Sequence, residues 1–179
     1  MSSWSPLNNP GPYHILGYGT LLGTQIFNSF IAGIVSFAAL PRPQFASLQS
    51  KLFPVYFSMQ TALPVVLAVT YPGDSLTSSS ISGVLDLSTR YSVLAPIVTM
   101  GICGAANLLV IGPATTKCMR ERKHQETRDG KKSYDAGPHS PEMQRLNKQF
   151  GKLHGASSIV NLISVIATIV YGVTLGNRL

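Results

Sequence analysis

The sequence predicts an all-α integral membrane protein: a four-helix bundle with a short interfacial helix between spans one and two. Two observations carry this. No Asp, Glu, Lys or Arg occurs from Met1 to Pro41, Leu52 to Gly73, Tyr91 to Thr116 or Leu153 to Asn177. Each gap holds the roughly 20 apolar residues that a helix needs to cross a hydrocarbon core of about 30 Å. The second observation is that ten of the fourteen basic residues fall between Lys117 and Lys152, so the charge collects in one connection.

The spans are expected at about Ile15–Ala39, Leu52–Tyr71, Tyr91–Ile111 and Ala156–Leu175. They account for one membrane domain over residues 1–179, with a hydrophilic loop at 114–152. The start Met1-Ser2-Ser3-Trp4-Ser5-Pro6 has no basic n-region, so the first span reads as a retained helix and not a cleaved signal. Arg42 and Lys51 mark the first connection. The opposite side offers only Arg90 and Arg178, with Asp74 and Asp86 beside Arg90. The positive-inside rule then places loops 41–51 and 114–152 in the cytoplasm and both termini outside or in a lumen.

The connections carry patterns of their own. After Pro41-Arg42-Pro43, residues Phe45, Leu48 and Leu52 repeat at helical spacing opposite Gln44, Ser47 and Lys51. A helix so short is marginal in water. Laid in the headgroup plane it could bury Phe45, with Arg42 and Lys51 near anionic lipid. The same segment, including Phe53 and Pro54, could cover the end of a buried site with Gln49 turned toward His154 or Asn107. In the third connection, Thr115 to Arg128 can extend span three, and Gly130 to Pro141 reads as a link. Ser140 before Pro141 is a helix start, and Met143, Leu146, Phe150 and Leu153 form an apolar stripe into span four.

The net charge of +7 does not imply nucleic acid. The basic run Lys117 to Lys123 sits beside a membrane span, is mixed with acids and lacks interleaved aromatics. The bilayer is the expected partner, with anionic lipid at the cytoplasmic face. Cys103 and Cys118 lie fifteen residues apart on one helix, about 22 Å, and cannot pair. His124 and His139 are isolated, so no metal site or cofactor is expected, and no residue is assigned as catalytic.

Small and polar residues should decide how the spans meet. Gly19 and Gly23 form a GxxxG pair, and Gly101, Gly104 and Ala105 form a patch on span three. Pro64 should free the Gln60 carbonyl. If spans one, three and four are neighbours, Gln25, Asn107, His154, Ser157, Ser158 and Asn161 form a polar track, which Gln49 would cover. His154 and Asn161, seven residues apart, share a helix face.

These residues also carry a resemblance. Leu40-Pro41-Arg42, Phe45, Gln49-Ser50-Lys51-Leu52-Phe53-Pro54, Tyr56 and Phe57 resemble the signature of the transmembrane protein 205-like family. Gly23 and Gln25 match it in span one, and Asn107, Pro113, Thr115, Thr116 and Met119 match it around span three. Phe150, His154, Gly155, Ser157, Ser158, Asn161 and Leu162 match its last span. The resemblance implies a four-span membrane protein and little chemistry, with roles in vesicular traffic or tolerance of toxic small molecules. The expected function is a non-enzymatic membrane or trafficking factor that handles small molecules or lipids. Asn28 and Gln60 fall outside the family pattern and are expected to be local packing. The alternative is a small four-span membrane oxygenase resembling anthrone oxygenases, with His154 as its base; the two-histidine version is disfavoured because His14 lies at the opposite face.

Labelling of cysteines introduced singly should find positions 47 and 133 on one side of the membrane and positions 5 and 79 on the other. Reaction of positions 47 and 79 from the same side contradicts the topology.

Overall fold

The computed structural model describes residues 10–72 and 80–177. The charged residues Asp74 and Arg178 lie outside them, as do the label positions Ser5 and Ser79. Four long helices are apolar enough to cross a membrane: α1 (Pro10–Ala39), α2 (Arg42–Val69), α4 (Leu87–Asp129) and α5 (Pro141–Gly176). The five-residue α3 (Ser80–Val84) lies between α2 and α4. Phe27, Phe30, Ile34 and Val35 on α1 are each at least half exposed, and so are Ile102, Leu109, Ile159 and Val173 on the later helices. Apolar surface on this scale suits a lipid environment.

Neighbours in sequence are neighbours in space. α1 packs on α2, α2 on α4, α4 on α5, and α5 closes back on α1. This puts α1 and α4 across the bundle from one another. Spans one, three and four are therefore not three mutual neighbours, and α2 enters the polar centre instead.

The separate interfacial helix is absent. Residues 42–51 form the first turns of α2, which runs unbroken through Pro54 and Pro64. Pro43 sits in the first helical turn, where its missing amide costs nothing. The Phe45 amide donates to the Pro41 carbonyl at 2.9 Å, opening the helix directly after the turn. Arg42 lies 3.9 Å above the Phe37 ring, and Phe37 meets Phe45 edge to face at 5.2 Å. These contacts hold α1 and α2 as a tight hairpin. Phe53 stacks on Phe57 at 5.6 Å along α2, while Pro41, Lys51 and Pro54 remain exposed.

α4 is longer than any membrane requires. Its 43 residues span about 64 Å, twice the hydrocarbon thickness. Its backbone widens to π-helix at Arg90–Leu94 and at Asn107–Ile111. Each widened turn is followed two residues later by a proline, Pro96 or Pro113. A proline has no amide for the carbonyl four residues back and its ring pushes that carbonyl away, so the preceding turn opens.

The end of α4 and the start of α5 form a helical hairpin beyond the apolar segments. Gly130 closes α4 in the left-handed conformation, φ +62°, and Ser140 caps α5 by accepting the Met143 amide at 3.2 Å. The hydroxyl of Ser140 donates to Asp129 at 2.7 Å, tying the two helix ends. Met143 and Leu146 are buried, and Cys118 donates to the Leu146 carbonyl at 3.6 Å, so the apolar stripe of α5 covers α4. Arg122 donates to Asn147 at 2.9 Å and lies 4.5 Å above the Phe150 ring. At the far end, hydrogen bonds from Ser88 hold the Asp86 carboxyl below the usual carboxylate range.

Of the two small-residue groups read from the sequence, the patch on span three packs closely and the GxxxG pair does not. Gly19 and Gly23 are exposed, with nothing within 4 Å of where a Cβ would stand. GxxxG spacing does not say which way a helix turns. The close approach is at Gly104, where a Cβ would lie 2.7 Å from the Gln60 carbonyl. That carbonyl is the one deprived of its helical donor by Pro64.

Gly104→Ala should therefore destabilise the protein by about 1–3 kcal/mol, the cost typical of overpacking. Gly19→Ala and Gly23→Ala should stay within about 0.5 kcal/mol. Unfolding by denaturing detergent in mixed micelles measures all three.

Candidate functional site: a polar seam on the last helix

Five polar residues line one face of α5: Ser157, Asn161, Ser164, Thr168 and Tyr171. Their spacing of 4, 3, 4 and 3 residues keeps them on the side that faces the bundle. Each level of this seam takes a partner from another helix.

At the far end His14 of α1 is fully buried between Thr70 and Tyr171. The Thr70 hydroxyl spends its proton on the Val66 carbonyl at 2.7 Å. Its oxygen must then accept from His14 Nδ1, 3.1 Å away. In a neutral ring that leaves Nε2 to accept from the Tyr171 hydroxyl at 2.6 Å. One turn below, Thr168 donates to the Ser164 carbonyl and lies 2.9 Å from Met100 Sδ of α4. Gln25 of α1 donates from Nε2 to Ser164 Oγ at 3.0 Å.

Asn161 is the junction. Its Nδ2 donates to Ser29 of α1 at 2.8 Å. Its Oδ1 accepts from Tyr56 at 2.7 Å and from Gln60 Nε2 at 2.8 Å, both on α2. Gln60 also donates to the Tyr56 oxygen at 2.8 Å. One side chain thus joins three helices. At the last level Asn107 of α4 donates from Nδ2 to the Ser157 carbonyl at 3.3 Å.

The packing changes character along the bundle. Leu21, Leu67, Val93, Met100, Tyr171 and Leu175 form an apolar core in the half around His14. Nearer the hairpin the interior is built of amides and hydroxyls.

Of the residues selected from the sequence, Gln25, Asn107, Ser157 and Asn161 come together on the seam. Gln49, His154 and Ser158 do not. Gln49 is buried, but its amide donates to Ser36 of α1 at 3.1 Å, inside the α1–α2 hairpin. It turns toward neither His154 nor Asn107, because residues 42–51 continue α2 and do not fold over the bundle. His154 is exposed and stacks on Phe150 of its own helix at 6.0 Å. Ser158 donates to the His154 carbonyl and is also exposed. Gln60, expected as local packing, belongs to the central network. His14, Ser29, Tyr56, Ser164, Thr168 and Tyr171 escaped the sequence reading. The regular spacing on α5 was the available signal for three of them.

Among the described residues no three His, Cys, Asp or Glu side chains come together as a metal site. Both cysteines are free and buried, on one continuous helix.

A family model described as a domain of unknown function, DUF4149, matches residues 16–124. The chain belongs to the DUF4149 family. The family match takes in α1, α2 and most of α4, and so contains Gln25, Gln60 and Asn107 but not the seam residues of α5. A curated relative covers more. The "Xanthocillin biosynthesis cluster protein D" of Aspergillus fumigatus is 34% identical over 173 residues, 97% of this chain and 93% of that protein. No solved structure matches this DUF4149 chain.

Asn161→Ala removes three side-chain bonds at about 0.6 kcal/mol each and should cost about 2 kcal/mol. His154→Ala should stay within about 0.5 kcal/mol. The same unfolding measurement separates them, and equal effects would contradict the assignment of His154 to the outside of the bundle.

Proposed function

We propose that this chain is a non-enzymatic membrane factor of a small-molecule biosynthetic system, and that it engages a small molecule or lipid within its bundle. The observation that carries this reading is the seam on α5, which places a polar group at every level of a membrane-embedded bundle. A bundle held only by packing has no need of so many, because small residues and dispersion suffice. The seam consists mainly of amides and hydroxyls, groups that exchange hydrogen bonds and do not titrate. The relative's name supports the biosynthetic setting. The finer family label, transmembrane protein 205-like, rests on the motifs in Leu40 to Phe57 and Phe150 to Leu162. With it go cytoplasmic connections, termini on the other side, and anionic lipid around Lys117 and Lys152.

A second reading, the four-span oxygenase, has one observation in its favour. His14 is buried against Tyr171 and so presents a paired base, which His154 on the exterior does not. Removal of the protein from its host separates the two readings. The proposed factor leaves the set of small molecules unchanged and shifts their partition between membrane and medium, as read by mass spectrometry. Accumulation of a precursor one oxygen lighter, reproduced by His14→Gln, would sink the non-enzymatic reading.

A further inference from the structure

Gln25, Gln60 and Asn107 are fully buried, and each keeps an amide oxygen with no hydrogen-bond partner among the described residues. Buried acceptors of this kind are rare, and each one asks what fills it. Their levels on α5, from Ser157 to Ser164, lie within about 10 Å along the axis.

The orientation of Asn107 follows from its partner, and that of Gln60 from the network it shares with Asn161. Asn107 Nδ2 meets a backbone carbonyl, which can only accept, so the nitrogen must face Ser157 and the oxygen is left over. Gln60 Nε2 meets Asn161 Oδ1 and the Tyr56 oxygen. With Asn161 Oδ1 turned to α2, Tyr56 gives its proton to Asn161 and Gln60 supplies both donors there. Its Oε1 is left over as well. Gln25 faces a hydroxyl, which fits either orientation.

Two of the π-helical segments lie in the same region. Asn107 opens the π-helical turn Asn107–Ile111, and Ser29 lies in the π-helical segment Phe27–Ala32 of α1. Turns of this type gather at functional sites because their spare residue lets a helix adjust. Leu109 and Val110 of the α4 turn face outward.

We infer that Asn107 Oδ1 and Gln60 Oε1 form a hydrogen-bond-accepting site for a neutral molecule that donates hydrogen bonds from a hydroxyl or phenol. The chemistry excludes other classes. An anion would face two carbonyl-type oxygens. A bare ammonium would be buried in the bilayer with no carboxylate among the described residues of the seam, which is prohibitive. A neutral donor meets both oxygens without either cost. The inference rests on the non-enzymatic reading above and names the ligand class for the same seam.

The test uses the full chain in phosphatidylcholine nanodiscs and a matched pair of probes, 4-fluorophenol and 4-fluoroanisole, observed by fluorine NMR. The anisole keeps the ring and loses the donor. Saturable broadening of the phenol alone, beyond that in empty nanodiscs, is the expected result. Asn107→Leu and Gln60→Leu should each weaken phenol binding about tenfold, the value of one lost hydrogen bond. Should a variant fail to fold, the comparison of the two probes on the unaltered protein still decides. Equal behaviour of phenol and anisole, or phenol binding undiminished in folded variants, overturns the site and leaves water as its occupant. A shift of small molecules on removal of the protein, without phenol binding here, would retain the function and reject only this ligand class.

Discussion

Asn161 joins three of the four long helices through one carboxamide, and much of the bundle's geometry depends on it. In water such a junction would be minor, since apolar burial would hold the helices together. In lipid the surroundings are as apolar as leucine, and burial offers little preference for one helix packing over another. Directional bonds from Asn161 to Ser29, Tyr56 and Gln60 supply that preference. They fix the rotation of α1, α2 and α5 at one level, and the rest of the seam follows from the heptad-like spacing.

The second constraint is steric. Pro64 removes a donor from the Gln60 carbonyl, and Gly104 lets α4 approach that bare carbonyl closely. A proline on one helix and a glycine on another thus act as a pair. The prolines of α4 have a related consequence, since each follows a π-helical turn and one of those turns begins at Asn107. Backbone irregularity, close approach and buried amides fall in one region. In a membrane such irregularity persists only where protein or polar groups satisfy it.

Function is less directly written into these contacts than fold. The seam serves the bundle as adhesive, and the same groups are the ones able to recognise a small molecule. What distinguishes recognition from adhesion is a surplus of capacity. Gln60 and Asn107 are held in place through their amide nitrogens, yet their oxygens have no hydrogen-bond partner among the described residues. His14, by contrast, is satisfied on both nitrogens.

By itself the sequence determined the four helices of membrane-spanning length, the extension of α4 past its apolar segment and the cap at Ser140. These depend on local composition: charge-free length, proline and glycine positions, and the hydroxyl before a helix. It also selected Gln25, Asn107 and Asn161, because uncharged amides at membrane depth are conspicuous. It misjudged several features that require knowing which way a helix faces. Gly19 and Gly23 point outward, His154 lies outside, Gln49 turns to Ser36, and residues 42–51 continue α2. Only the tertiary structure decided these. In lipid both faces of a span are apolar, so hydrophobic periodicity, which marks the inward face of a soluble helix, says little about rotation. Rotation is set by the bonds between helices, and those exist only once the helices have met.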